Sequence, residues 1–442
     1  MKRLSPFILL CAVVFKLTAQ NITISFQPKV NGTIIDSVIV TNQRIAQKVK
    51  LLGNESLTLT KVTGITDLSF ASDMGYIFPN PCNGITQICF TTVKNQMVKV
   101  NVYNISGQLL RTESHFLMLG QHRFNVIFPT AGIYNVSILK DDRSKSFKAV
   151  CFRTGVNRCG IEYCGSQYQN QSKSAKLGKT LSYTQGDILL HSVFSGKNNT
   201  IITDSPVATK AYSVEFYQCI DPDNKSYKIV KIGDQWWMAE NLAWLPFVSY
   251  PVSGSYTDPF YYVLDYRGID ISEAKATPNY STYGVLYNWP AAMNGKASSN
   301  QVPSGVQGAC PSGWHLPSKA EWEILENYMI ANGYNFDGTT TENKIAKSLA
   351  ATIIFQNWEQ YPPGVVSNDI SLNNKSGFNG LPGGYRTSNG TFNGPGGDGY
   401  WWSSTEYFSK DAYIRYLDGY SIKLLERKPY KKDGYSVRCI RN

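Results

Sequence analysis

From Asn21 to about residue 70, apolar and polar residues alternate in short runs. ITISFQ, TIIDSVIV and SLTLTKV each repeat with a period of two, separated by Asn-Gly and Gly-Asn turn signals. Such a period sends successive side chains to opposite faces, so the pattern predicts strands with one face buried. A second β-patterned region opens at YIFPNPCNG (76–84). It continues through ITQICFTTV, MVKVNVYNIS, HRFNVIF, GIYNVSIL and SFKAVCF, punctuated by Ser106-Gly107, Leu119-Gly120 and Ala131-Gly132. Short strands with turns every eight to twelve residues predict a sandwich. Its candidate core is Tyr103, Phe124, Val126, Ile133, Tyr134 and Val136, although the adjacent Ile133 and Tyr134 cannot both face inward from a regular strand.

Residues 153–180 are polar, weakly patterned and rich in Ser, Gln and Gly, and read as a linker. Strand signals resume in DILLHSVF, TIITD and AYSVEFYQC (181–218). They either complete the first β unit across the inserted sandwich or form a small module of their own; alternation allows both. From near Asp221, DPDNKSYKIVKIGDQWWMAENL predicts a hairpin leading into irregular chain. One helix is well signalled in LPSKAEWEILENYMIANG: Ser318 is an N-cap, Glu321 completes a capping box, Trp322, Leu325 and Met329 form one stripe, and Gly333 ends it. A shorter helix is expected in TENKIAKSLA. Gly/Asn-rich loop follows until YWWSSTE and the closing strands AYIRYLDG, YSIKLL and GYSVRCI. The fold class expected is multidomain: N-terminal all-β sandwich modules (21–75, 76–152, with 181–218 a β-strand segment), then an α+β module (219–442) with few helices and much irregular structure.

The first twenty residues are expected to be a signal peptide. Lys2 and Arg3 precede the apolar run Phe7–Phe15, and Leu17-Thr18-Ala19 offers cleavage near Gln20. No other stretch approaches 18 apolar residues, so no transmembrane segment is expected in the mature chain. The formal charge is +11, and would be +8 without Lys2, Arg3 and Lys16. Basic residues are scattered apart from short clusters such as Arg427-Lys428 and Lys431-Lys432, which argues for a solvated surface and against nucleic acid.

Eight cysteines would remain after cleavage, and an even count in an exported chain reads as disulfides. Cys159 and Cys164 are close enough for a small loop, Cys82 and Cys89 bracket an Asn-Gly turn, and Cys310 with Cys439 would close a long loop. Zinc is disfavoured by the lack of paired CxxC motifs and by only four histidines, and no metal or cofactor is expected. Asp221, Asp223 and Asn224 read as a turn rather than a calcium loop. His315, between an aromatic residue and a proline before a helix, reads as packed rather than catalytic. No GxSxG or GxxxxGK[ST] motif is present, and the runs GLPGGYR and NGPGGDGY read as loops needing positive φ. No catalytic residue is assigned. Tyr400, Trp401, Trp402 and Tyr407 are the candidate ligand-binding set, since aromatic rings stack on sugar faces. An extended YWWSS would send its two tryptophans to opposite faces, one into the core and one partly exposed.

All nine tryptophans lie between Trp236 and Trp402, eight of them in a series of tryptophan- and glycine-bearing blocks reading IGDQWWMAENLAW, YGVLYNWPAAMNG, ACPSGWHLPSKAEWEIL, SGFNGLPGGYR and YWWSSTE, followed by DGYSVRCIRN. These blocks closely resemble the Fibrobacter succinogenes major paralogous domain, a bacterial surface-protein module. The resemblance implies a fold related to C-type lectins and to formylglycine-generating enzymes. FPNPCNG, VNVYNISGQLL, GQHRFNV and AGIYNVSI resemble the type IX secretion sorting domain of the Bacteroidetes, which implies an immunoglobulin-like sandwich. Because this copy is internal, a structural or adhesive role is expected of it rather than sorting. The function expected is non-catalytic recognition or adhesion at the outer-membrane surface or outside the cell, with a glycan or another surface protein as partner. The alternatives are an enzyme related to the formylglycine-generating group, a hydrolase accessory, or a structural spacer.

Overall fold

A computed structural model describes residues 21–61, 76–78, 80–92, 96–117, 120–140, 143–152, 158–166, 179–352 and 361–442. The expected signal peptide lies outside these residues, as do 153–157 and 167–178 of the expected linker. The chain divides into two compact units, one of residues 1–63 and 178–442 and one of residues 64–177.

The first unit opens with strands β1 (Ile22–Pro28), β2 (Ser37–Asn42), β3 (Gln47–Leu52) and β4 (Leu57–Lys61). In β2 the pattern is strictly alternating, with Val38, Val40 and Asn42 inward. Asn42 is tolerated there because its amide donates to Asp187 Oδ2 (2.7 Å) and to the Ser182 carbonyl (3.0 Å).

The described residues of the second unit, between 76 and 166, form a sandwich of their own. Its strands are β5 (Tyr76–Phe78), β6 (Ile85–Thr92), β7 (Gln96–Asn104), β8 (Leu109–Leu117), β9 (Gly120–Ile127), β10 (Gly132–Lys140), β11 (Arg143–Cys151) and β12 (Gly160–Ser166). They make two four-stranded sheets, ordered β11-β10-β7-β8 and β12-β9-β6-β5, around a core that includes Phe90, Val100, Phe124, Val126, Tyr134 and Val136. Tyr134 turns inward and Ile133 outward, while Tyr103 is only half-buried. β8 carried no clear signal because it is an edge strand, mostly exposed and polar. β12 lies inside the polar stretch expected to be a linker and pairs with β9.

Two cysteine pairings expected from spacing are not made in this sandwich. Cys159 and Cys164 are not bonded: Cys159, just before β12, packs against the sandwich core, while Cys164, within β12, is exposed. Cys82 and Cys89 are not bonded either: Cys89 is drawn into β6, opposite Arg123 of β9, while Cys82 pairs with Cys151.

The chain then returns to the first unit with β13 (Lys179–Tyr183), β14 (Leu189–Ser195), β15 (Asn198–Asp204) and β16 (Lys210–Val214). β13 and β16 pair in parallel with β4 and β1, and β14 pairs antiparallel with β2. Strands on either side of residues 64–177 therefore share one core, which includes Ile24, Val38, Leu57, Leu189 and Val214. β15 also pairs in parallel with β17 (Lys228–Ile232), which forms a hairpin with β18 (Gln235–Met238) across Gly233 at φ +63°. One eight-stranded sheet thus runs from β3 into the C-terminal region.

That region adds β19 (Tyr261–Tyr262), α1 (Ile271–Ala276), α2 (Pro278–Tyr283), β20 (Leu286–Tyr287), α3 (Trp289–Met293), β21 (Trp314–His315), α4 (Lys319–Ala331) and α5 (Ala346–Leu349). It ends with β22 (Gly383–Arg386), β23 (Phe392–Pro395), β24 (Asp398–Phe408), β25 (Asp411–Asp418), β26 (Leu424–Arg427) and β27 (Ile440–Arg441). A five-stranded sheet has the order β23-β22-β24-β25-β26. Cys310 and Cys439 are bonded, with a Cα separation of 5.9 Å. No helix among the described residues is long and apolar enough to cross a membrane.

α4 begins with the full capping box: Glu321 N–H donates to Ser318 Oγ (3.1 Å) and Ser318 N–H to Glu321 Oε2 (2.9 Å). Ser318 Oγ also donates to the Gln301 carbonyl (2.8 Å). Ser318→Ala is expected to cost about 0.5–2 kcal/mol, seen as a lowered denaturant midpoint with unchanged slope.

Candidate recognition surface

β24 is the middle strand of its sheet and has protein on both faces. Trp401 points into a cluster with Trp322, Phe378 and Leu417, and Trp402 into another with Tyr287, Trp289 and Tyr435. The alternation of YWWSS is real, but both tryptophans are fully buried at 0 % exposure, so the expectation that one reaches solvent is corrected. Their polar atoms are used internally: Trp401 Nε1 donates to Asn241 Oδ1 (2.9 Å) and Trp402 Nε1 to the Tyr287 carbonyl (2.7 Å). Tyr400 is buried too, its hydroxyl on Asp398 Oδ2 (3.1 Å), and burial raises both groups above their ordinary pKa. Gly399 and Gly380 make room for Trp401; a Cβ on either would come within 3.0 Å of its ring. Close approach, rather than positive φ, is their role.

Tyr407 is the member of the expected set that reaches solvent, at 40 % exposure. The β24–β25 pairing shifts register between Trp402 and Glu406 and again before Phe408, and these irregularities leave neighbouring Tyr407 and Phe408 both exposed. Residues 428–434 run along the hairpin tip, held by Lys431 N–H on the Lys410 carbonyl (2.8 Å) and by pairing of Asp411 with Tyr430. Lys428 Nζ then sits 4.3 Å from the Tyr407 ring centroid and 5.4 Å from that of Tyr413. Tyr430, half exposed, meets Tyr256 edge-on at 6.3 Å, with Lys410 and Lys432 at 5.8 and 5.3 Å from the Tyr256 ring. Glu406, the carboxylate nearest these rings in sequence, is paired with Lys431 at 2.9 Å. The tip therefore shows solvent-facing rings interleaved with ammonium groups. Sequence reading found Tyr407 but missed its neighbour Phe408, Tyr413 on the paired strand, and Tyr430 and Tyr256, which come from separate segments. The one available signal was the pair of short basic clusters beside Tyr430.

The remaining candidates are structural in their geometry. His315 is buried, with Nδ1 2.6 Å from Asn442 Oδ1 and Nε2 2.7 Å from Glu321 Oε1, so both ring nitrogens are occupied. Asp221 Oδ1 accepts the Asp223 and Lys225 amides (2.9 and 3.0 Å), with Asn224 at φ +64°, which is a capped turn. Cys219 is buried, and burial pushes its thiol well above the ordinary range, away from the reactive thiolate. Among the described residues, no group of three or more His, Cys, Asp or Glu is disposed to hold a metal ion.

The tryptophan-bearing blocks thus converge on shared cores: Trp237, Trp322, Phe378 and Trp401 pack together, and Met238 lies in the same cluster as Cys439. Residues 230–441 match the Fibrobacter succinogenes major domain. Within this major domain lie the hairpin-tip surface, the Cys310–Cys439 bond and the capped helix. Residues 76–151 match the secretion system C-terminal sorting domain, which points to a secreted, cell-surface protein. No curated protein matches the chain.

Proposed function

We propose that the major domain is a non-catalytic recognition module that binds an acidic glycan at the cell surface through the β24–β25 hairpin tip. The observation that carries this reading is the exposed set Tyr407, Phe408 and Tyr430 with Lys410, Lys428 and Lys432 among the rings. Aromatic faces suit the C–H faces of sugars, and ammonium groups suit carboxylate or sulfate substituents. A lectin-like fold, implied by the resemblance of the blocks, fits the same reading. So does the sorting-domain match, since a secreted surface protein meets polysaccharide.

Titration of the full chain with polyuronate, sulfated and neutral polysaccharides tests the proposal. Binding of an acidic polymer, weakened by salt, is expected. Tyr407→Ala with Lys428→Ala should lower affinity at least tenfold, about 1.4 kcal/mol. Equal binding of neutral polymers, or unchanged affinity in the double variant, would count against this surface. Turnover of the polymer would favour the enzyme alternative.

A further inference from the structure

We propose that Cys82 and Cys151, adjacent thiols not joined in this structure, form a second disulfide in the exported protein, closing the sorting-like sandwich on itself. The two residues are direct partners in a parallel β-bridge. Cys82 N–H donates to the Val150 carbonyl (2.8 Å), and Phe152 N–H donates to the Cys82 carbonyl (2.9 Å), so the backbones are locked on both sides of the pair. Bridged neighbours have Cα atoms about 5 Å apart, inside the window a disulfide requires. Directly paired residues of a parallel bridge send their side chains to the same side. Both cysteines are buried, at 3 % and 2 % exposure, in the same sandwich core.

The chemistry follows from burial. Desolvation first, and the adjacent Cys151 thiol second, push the Cys82 thiol up to about 11. The folded pair therefore holds little thiolate and is shielded from reagents, so the bond forms during folding or on local opening. The oxidant is a protein disulfide of the export compartment. One cysteine, as thiolate, attacks it to give a mixed disulfide and release one thiol. The second cysteine then displaces the other sulfur, leaving Cys82–Cys151 joined and the oxidant reduced to a dithiol that keeps both protons. Sequence spacing pointed instead to Cys82 with Cys89. The fold overrides it because β11 passes beside the 80–84 turn while Cys89 lies within β6.

The test is non-reducing peptide mapping of the full chain, exported into an oxidising compartment and blocked with an alkylating agent under denaturing conditions. Trypsin leaves Cys82 and Cys89 together in 62–94 and Cys151 in 149–153. The expected result is a linked 62–94/149–153 pair that dissolves on reduction. The link should persist in Cys89→Ser and vanish in Cys82→Ser. Full alkylation of Cys82 and Cys151 without reductant, or a link that survives Cys82→Ser but not Cys89→Ser, would overturn the proposal. Because Cys89→Ser leaves the proposed pair intact, the result stands even if Cys82→Ser fails to fold.

Discussion

Serine at both Cys310 and Cys439 is expected to destabilise the major domain by about 4–5 kcal/mol, the largest single effect foreseen. The bond joins residues 129 apart in sequence. In the chain-entropy account, closing a loop of that size restrains the unfolded ensemble by about 5 kcal/mol, with measured losses for native disulfides of about 2–5 kcal/mol. Cys310 lies in the irregular stretch before β21, where few ladder hydrogen bonds hold the chain. Cys439 immediately precedes β27, the link between β18 and β21. Denaturant unfolding of the double-serine variant and the oxidised parent measures the difference. A change below about 1 kcal/mol would show that the surrounding core alone determines this geometry.

Trp401→Ala is expected to cost about 3–5 kcal/mol, against roughly 0.5 kcal/mol or less for Tyr407→Ala. The Trp401 ring lies 5.6 Å from Phe378 and 6.4 Å from Trp322, with the Arg438 guanidinium 5.3 Å from its centroid. Its indole shares Asn241 Oδ1 with Arg438 Nη2, which donates at 2.8 Å. Truncation removes a fully buried ring, opens a cavity between Gly380 and Gly399, and removes one donor from a buried carbonyl oxygen. Thermal or chemical unfolding of the two variants separates core from surface within a single aromatic run. Similar losses for Trp401 and Tyr407 would contradict the assignment of Trp401 to the core and Tyr407 to the surface.

Much of this protein was legible locally. Period-two alternation located β1, β2, β6, β7, β9 and β10, because a strand with one buried face must alternate. The Ser318/Glu321 box and the Trp322, Leu325, Met329 stripe located α4, since capping and the helical repeat are short-range. The tryptophan-bearing blocks identified the major domain before any contact was known. What tertiary structure decided lies across long separations. Alternation says that a strand has two faces but not what covers each, so only the central position of β24 shows that Trp401 and Trp402 are both buried. Spacing does not encode which cysteines meet: Cys82 lies beside Cys151 because β11 passes the 80–84 turn, and Cys159 packs toward the sandwich core while Cys164 faces outward. Strands β13–β16 read alike as a separate module or as a completion of the first sheets. Pairing with β1, β2 and β4 resolved that choice, because a backbone hydrogen bond depends on which chain lies alongside and not on how far away it is in sequence.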